Sequence, residues 1–157
     1  MFETWARDVV GPAGDTVFAA LAEAQRPRLD DARIMSRVRP GCTGRWLHFR
    51  HPDSPEQRAV WLVATVRDHA YNVRGTGDCV GAWLTQDTKE ELAQRRMAAR
   101  LQGSFDWSWR RHIDGKHEGW RLTPPLPADA EHDDASAVAD ALATRVLAAL
   151  RKAKLVG

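Results

Sequence analysis

Cysteine, tyrosine and lysine are scarce in this 157-residue chain, net charge is nearly absent, and no apolar run approaches the length of a membrane span. Each shortage removes an option. Two widely spaced thiols, Cys42 and Cys79, cannot make a disulfide framework. A chain of this length needs none, because folding can bury roughly 70% of the surface that its unfolded form exposes. A membrane-crossing helix requires about 20 consecutive apolar residues. The opening Met1-Phe2-Glu3-Thr4-Trp5-Ala6-Arg7-Asp8 also lacks the basic-then-apolar layout of a signal peptide. The default expectation is a cytoplasmic protein with no membrane association. With 23 Lys and Arg against 21 Asp and Glu, the net charge is +2, whereas dense nucleic-acid binding normally leaves a larger positive excess. No internal repeat, Gly-rich phosphate loop or nucleophile elbow occurs.

What the chain does have is tryptophan, seven residues of it. In Phe105-Asp106-Trp107-Ser108-Trp109-Arg110-Arg111, alternation puts Phe105, Trp107 and Trp109 on one side of a strand and Asp106, Ser108 and Arg110 on the other. Trp120 and Leu122 repeat that alternation, which predicts a hairpin with an aromatic face closed by a turn at Asp114-Gly115-Lys116. Large rings dominate a small core, at roughly 1.5–3 kcal/mol per fully buried large side chain, so neighbouring elements should cover them.

In chain order, a helix over residues 3–10 is expected to stop at Gly11-Pro12. A second helix, capped by Asp15, runs to residue 26 before Pro27. Residues 33–39 and 45–50 read as strands about a turn at 40–44. Residues 59–67 read as a central strand, apolar on both faces. Further strand material lies between 71 and 84 around a turn at Gly75-Thr76-Gly77-Asp78. Asp87 and Glu90 form an acidic capping box for a helix ending near Leu101, with Gly103 beyond it. Thr123-Pro124-Pro125-Leu126-Pro127 is an extended connector. In the last helix Val138, Leu142, Val146 and Leu150 share one face, with Asp133 and Asp134 at its start and Arg151, Lys152 and Lys154 at its end, the order that the helix dipole favours. This helix is expected to pack on the aromatic hairpin.

The prediction is a single α+β domain over residues 1–157. It has two layers: an antiparallel sheet packed by the middle helix (87–102) and the C-terminal helix (134–153), with a helical N-terminal segment (1–30) at an edge or on the other face. The strands fall in 33–84 and the hairpin in 105–122.

Motifs that suggest catalysis weaken in context. Pro52-Asp53 with Asp87-Thr88-Lys89 spells the two halves of a restriction-like nuclease site, but such a site needs its acids on neighbouring strand ends around a shared metal, and Asp87 reads as a helix cap. His51-Pro52-Asp53 matches the chaperone J-domain tripeptide but stands between predicted strands rather than between helices. Cys42, His48 and His51 could hold a metal only with a fourth ligand such as Cys79, at a spacing that fits no familiar zinc knuckle. The histidines have no identifiable nucleophile beside them. The reading therefore leans away from an enzyme and includes no catalytic residue, metal or cofactor.

A surface is the stronger candidate. If Leu47 and Phe49 face the core with Val60, Leu62 and Ala64, then Trp46, His48, Arg50, Trp61 and Thr65 turn to the other side of the sheet. Tryptophan beside arginine there suits a protein partner or stacked bases, unless the N-terminal helices cover it. Arg110 and Arg121 are a second candidate grip, with Asp106 on the same face as an alternative ion-pair partner. The expected partner is a protein. Nucleic acid is the alternative, and self-association is compatible with either.

The run from Arg45 onward, with its Trp46-Leu47-His48-Phe49 strand, apolar central strand, helix, Phe105-Asp106-Trp107 strand and Ala-rich last helix, resembles a small domain of unknown function that often follows restriction-endonuclease-like nuclease domains. The resemblance covers about two thirds of the chain. It implies an accessory role in nucleic-acid defence or phage biology and carries over no catalytic residue. The element order is also similar to that of small secretion chaperones.

Overall fold

The computed structural model describes residues 2–21, 27–31, 42–50, 57–66, 77–86, 91–112, 115–127 and 134–156. Among them are seven strands: β1 (Arg28–Asp31), β2 (Cys42–Arg50), β3 (Gln57–Thr65), β4 (Cys79–Gln86), β5 (Phe105–His112), β6 (Gly115–Leu122) and β7 (Leu126–Pro127). All pair antiparallel in the order β1-β2-β3-β4-β6-β5, and β7 pairs with β4 beyond the end of β6. Three helices, α1 (Phe2–Ala20), α2 (Glu91–Leu101) and α3 (Ala135–Lys152), complete an α+β fold.

Period-two alternation sets the two faces of the sheet. Leu47 and Phe49 of β2, Val60, Leu62 and Ala64 of β3, Val80, Ala82 and Leu84 of β4, Phe105 of β5, and Trp120 and Leu122 of β6 all enter one continuous core. Ala6, Val9, Val10, Ala13 and Val17 of α1, Met97 and Leu101 of α2, and Val138, Leu142, Val146 and Leu150 of α3 complete it. All three helices therefore cover the same face. The expected placement of the N-terminal segment at an edge or on the opposite face is corrected: α1 runs over β1, β2 and β3 and packs directly on α3.

The two expected N-terminal helices are one, with Pro12 inside it. Proline removes a ladder hydrogen bond and costs about 3 kcal/mol in a helix interior. However, Ala6, Val9, Val10, Ala13 and Val17 form one buried stripe at helical spacing on both sides of it, and burying that stripe outweighs the local loss. Arg45 fastens the helix to β2. Its Nη1 donates to the Gly11 carbonyl at 2.9 Å and pairs with Asp15 Oδ1 at 2.7 Å.

Other boundaries also move. Residues 28–30, within the segment read as helical, and Asp31 just beyond it form β1 against β2. Cys42, Thr43 and Gly44, read as a turn, are ladder positions opposite Thr65, Ala64 and Val63. The proline-rich connector ends in β7. Phe105 and Trp120 do lie in the core that α3 closes, but the helix adjoining β5 is α2, and α3 packs between α1 and α2 over β4. The expected strand at 33–39, the Asp87–Glu90 capping box, the turn residues Gly75, Thr76 and Asp114, and the side chains of Trp107 and Trp109 lie outside the described residues.

Helix ends follow their capping chemistry. Gly103 beyond α2 has φ 84°, a left-handed conformation that glycine adopts without a Cβ penalty. Asp134 caps α3, its Oδ1 accepting from Ser136 N at 3.1 Å. Asp134→Ala is expected to lower stability by about 1 kcal/mol, read as a lower urea midpoint at unchanged slope.

Candidate functional site

On the face of the sheet away from the helices, cross-strand partners line up in a single row. Asp30 stands opposite Trp46, Trp46 opposite Trp61, Trp61 opposite Trp83, Trp83 opposite Arg121, and Arg121 opposite Asp106. Direct cross-strand neighbours on one face approach to roughly 4.5–5.5 Å between Cβ atoms, so three indoles on β2, β3 and β4 form a continuous strip. No described helix lies over it, and the N-terminal helix does not cover these tryptophans.

The strip is dry in its middle. Trp61 is 1% exposed and Trp83 3%, and with Val63 and half-buried Trp46 they form an apolar cluster separate from the main core. Trp46 stacks on Trp61 with ring centroids 5.4 Å apart and planes at 15°. Two glycines let the other rings lie down on the sheet. A Cβ on Gly44 would enter the Trp61 indole, and one on Gly119 would stand 2.7 Å from Trp83 Nε1. Trp61 therefore leans diagonally across β2 and Trp83 across β6, each over a position without a side chain.

At the β1–β2 end of this face, aromatic and basic residues stand beside the Asp30 position of β1, the cross-strand partner of Trp46. His48 adjoins Trp46, ring centroids 6.2 Å apart, and Gln57 Nε2 lies 2.8 Å from its Nδ1. Arg28 is the cross-strand partner of His48, and both Arg28 and Arg50 are exposed. At the other end of the row Arg121 is half-buried and its Nε has no hydrogen-bond partner. Among the described residues no carboxylate pairs with it. Asp106, directly opposite, accepts instead from Thr123 Oγ1 at 2.9 Å. Beside Arg121, where β6 gives way to β7, is a pocket of about 10 Å³ bounded by Val63, Thr65, Cys79, Trp83 and Pro125. That volume takes a single water at most. Cys79 is buried there, its Sγ 3.5 Å from Thr65 Oγ1.

Of the six residues singled out from the sequence, the structure gathers Trp46, His48 and Arg50 at one corner. Trp61 backs that corner from below as a buried ring and does not present itself. Arg121 lies beyond Trp83 at the far end of the row, and the side chain of Arg110 lies outside the described residues. Sequence reasoning missed Trp83 and Arg28. Trp83 was accessible from the same alternation, because it has the parity of Cys79 and Gly81 and opposes that of Leu84. Arg28 was not, because β1 itself was not expected.

Asp53, His51 and Asp87, the residues of the nuclease and metal motifs, and the side chain of Cys42 are not among those described. Within the described residues no group of His, Cys, Asp or Glu comes together that could hold a metal. No described helix is long and apolar enough to cross a membrane. In comparisons with known proteins, the chain matches no family model, no curated protein and no solved structure.

Proposed function

We propose that the protein is a non-catalytic binding module that seats a protein partner against the face of its sheet away from the three described helices, with Trp46 as anchor and Arg28, His48 and Arg50 around it. The observation that carries this reading is the support beneath Trp46. A half-buried indole stacked on a fully buried one is an aromatic contact already fixed in place, so a partner meets it without paying to order it. Exposed Arg50 favours an acidic group at that edge of the partner. A place in nucleic-acid defence or phage biology comes from the sequence resemblance alone.

The test compares tagged wild-type protein with Trp46→Ala and Arg50→Glu. One protein held by the wild type at near-stoichiometric yield should fall by about tenfold or more with each variant, as expected for residues at the centre and rim of a contact. Arg50 is exposed, so the Arg50→Glu unfolding midpoint should match that of the wild type. A partner retained equally by both variants overturns the reading.

A second reading, direct binding of single-stranded nucleic acid, draws on the same juxtaposition of an indole with Arg28 and Arg50. Titration with a single-stranded oligonucleotide separates the two. Affinity that falls steeply with salt and is lost in Trp46→Ala supports the second reading, and absence of binding removes it.

A further inference from the structure

We infer that β5 is a self-association edge, which pairs antiparallel with β5 of a second copy so that one sheet runs through a two-fold dimer. β5 is the last strand in the sheet order, and among the described residues no strand lies beyond it. The other end of the sheet is blunter. β1 has four residues and closes on Asp30 and Asp31, and short, charged edges resist pairing. β5 is eight residues long, has no proline and carries both signs of charge. α2 adjoins it from within the helix layer, where Met97 and Leu101 enter the core.

The hydrogen-bond phase of β5 decides which residues serve the open edge. Thr123 N donates to the Ser104 carbonyl at 3.2 Å, one step beyond the Phe105–Leu122 pair of the β5–β6 ladder. Ser104, Asp106, Ser108 and Arg110 therefore turn their backbone groups to β6, and Phe105, Trp107, Trp109 and Arg111 turn theirs outward. A second β5 must then set outward residues opposite outward residues. The register centred on Ser108 does so, and it places Asp106 of each copy opposite Arg110 of the other and Trp107 of each opposite Trp109 of the other. Asp106 and Arg110 then occupy non-hydrogen-bonded positions, where side chains approach more closely. Opposite charges and aromatic pairs directly across a ladder both stabilise it. Centring on Trp107 or Trp109 would instead put Arg110 opposite Ser104 or Ser108. Asp106 is exposed and accepts from Thr123 through Oδ2, so Oδ1 is available to a guanidinium. A two-fold contact requires that residue i meets j and j meets i. Both halves of this match lie within one strand, which favours a second copy over an unrelated chain. The edge is also remote from Trp46, which sits at the β1–β2 end of the sheet.

Sedimentation equilibrium over a range of protein concentrations tests this. The wild type should dimerise. Asp106→Arg sets like charges opposite each other at both symmetric positions and should weaken the dimer by about tenfold or more. Arg110→Asp should do the same, and the double variant Asp106→Arg/Arg110→Asp, which exchanges the charges, should restore association. Arg111→Pro removes an outward N–H and spares the β5–β6 ladder, so it should leave a folded monomer. Trp46→Ala should dimerise as the wild type does. A wild type that stays monomeric at its highest soluble concentration overturns the inference. So does a dimer unchanged in both Asp106→Arg and Arg111→Pro, a folded double variant as weak as the single ones, or a dimer lost in Trp46→Ala, which would put the contact on the tryptophan face.

Discussion

Trp61→Ala is expected to destabilise the protein by about 3–5 kcal/mol, the range for truncating a buried aromatic. Domains of this kind are stable by only about 5–15 kcal/mol in total, so the variant should unfold at much lower urea or not fold at all. The size of the effect follows from position. Trp61 is 1% exposed, sits on the central strand β3 between Trp46 and Trp83, and serves as the floor on which Trp46 stacks. Removing it leaves a void on a sheet face that has no described helix to collapse into the space. Trp61→Phe keeps an apolar ring and should recover a large part of the loss. A Trp61→Ala protein as stable as the wild type would mean that the indole is not buried.

Gly44→Ala is the second large effect, and it works by crowding. The added methyl would enter the Trp61 ring and stand 2.7 Å from the Leu62 carbonyl oxygen, a backbone atom of the adjoining strand. Overpacking typically costs about 1–3 kcal/mol. A cost at the upper end is expected here, because neither the ring nor the β2–β3 ladder can yield without moving the other. The diagnostic measurement is the double-mutant cycle. In a Trp61→Phe background the ring no longer reaches as far, so Gly44→Ala should cost less, with a coupling of roughly 0.5–3 kcal/mol between the two sites. Strict additivity would place the indole somewhere other than over Gly44. Gly119→Ala should act in the same way on Trp83, the new methyl meeting the Leu84 carbonyl oxygen at 2.5 Å.

The alternation that divides Leu47 and Phe49 from Trp46 and His48 is written into consecutive residues, so the two faces of β2 and β3 were readable without coordinates. The stripe Val138, Leu142, Val146, Leu150 announced α3 for the same reason, since a period can be counted along a chain. The course of α1 through Pro12 was not readable, because the energy that holds it comes from β2, β3 and α3, far away in sequence. The same limit hid β1, four residues whose only reason to be extended is the strand beside them. It also hid the role of Gly44 and Gly119, which look like turn or flexibility signals until a neighbouring indole is seen to occupy the space above them. Of the candidate contact surface, the sequence exposed the residue types and their parity. It did not reveal which tryptophan would be left partly open, because that depends on diagonal packing across three strands.

The direct packing of α1 on α3 has a consequence for how the molecule is made. A ribosome releases the two helices at opposite ends of the described chain, and the sheet segments between them emerge with Leu47, Phe49, Val60 and Leu62 covered on one flank only. The apolar interior therefore closes only once α3 has emerged, and a nascent chain stalled before α3 should be a target for chaperones and proteases.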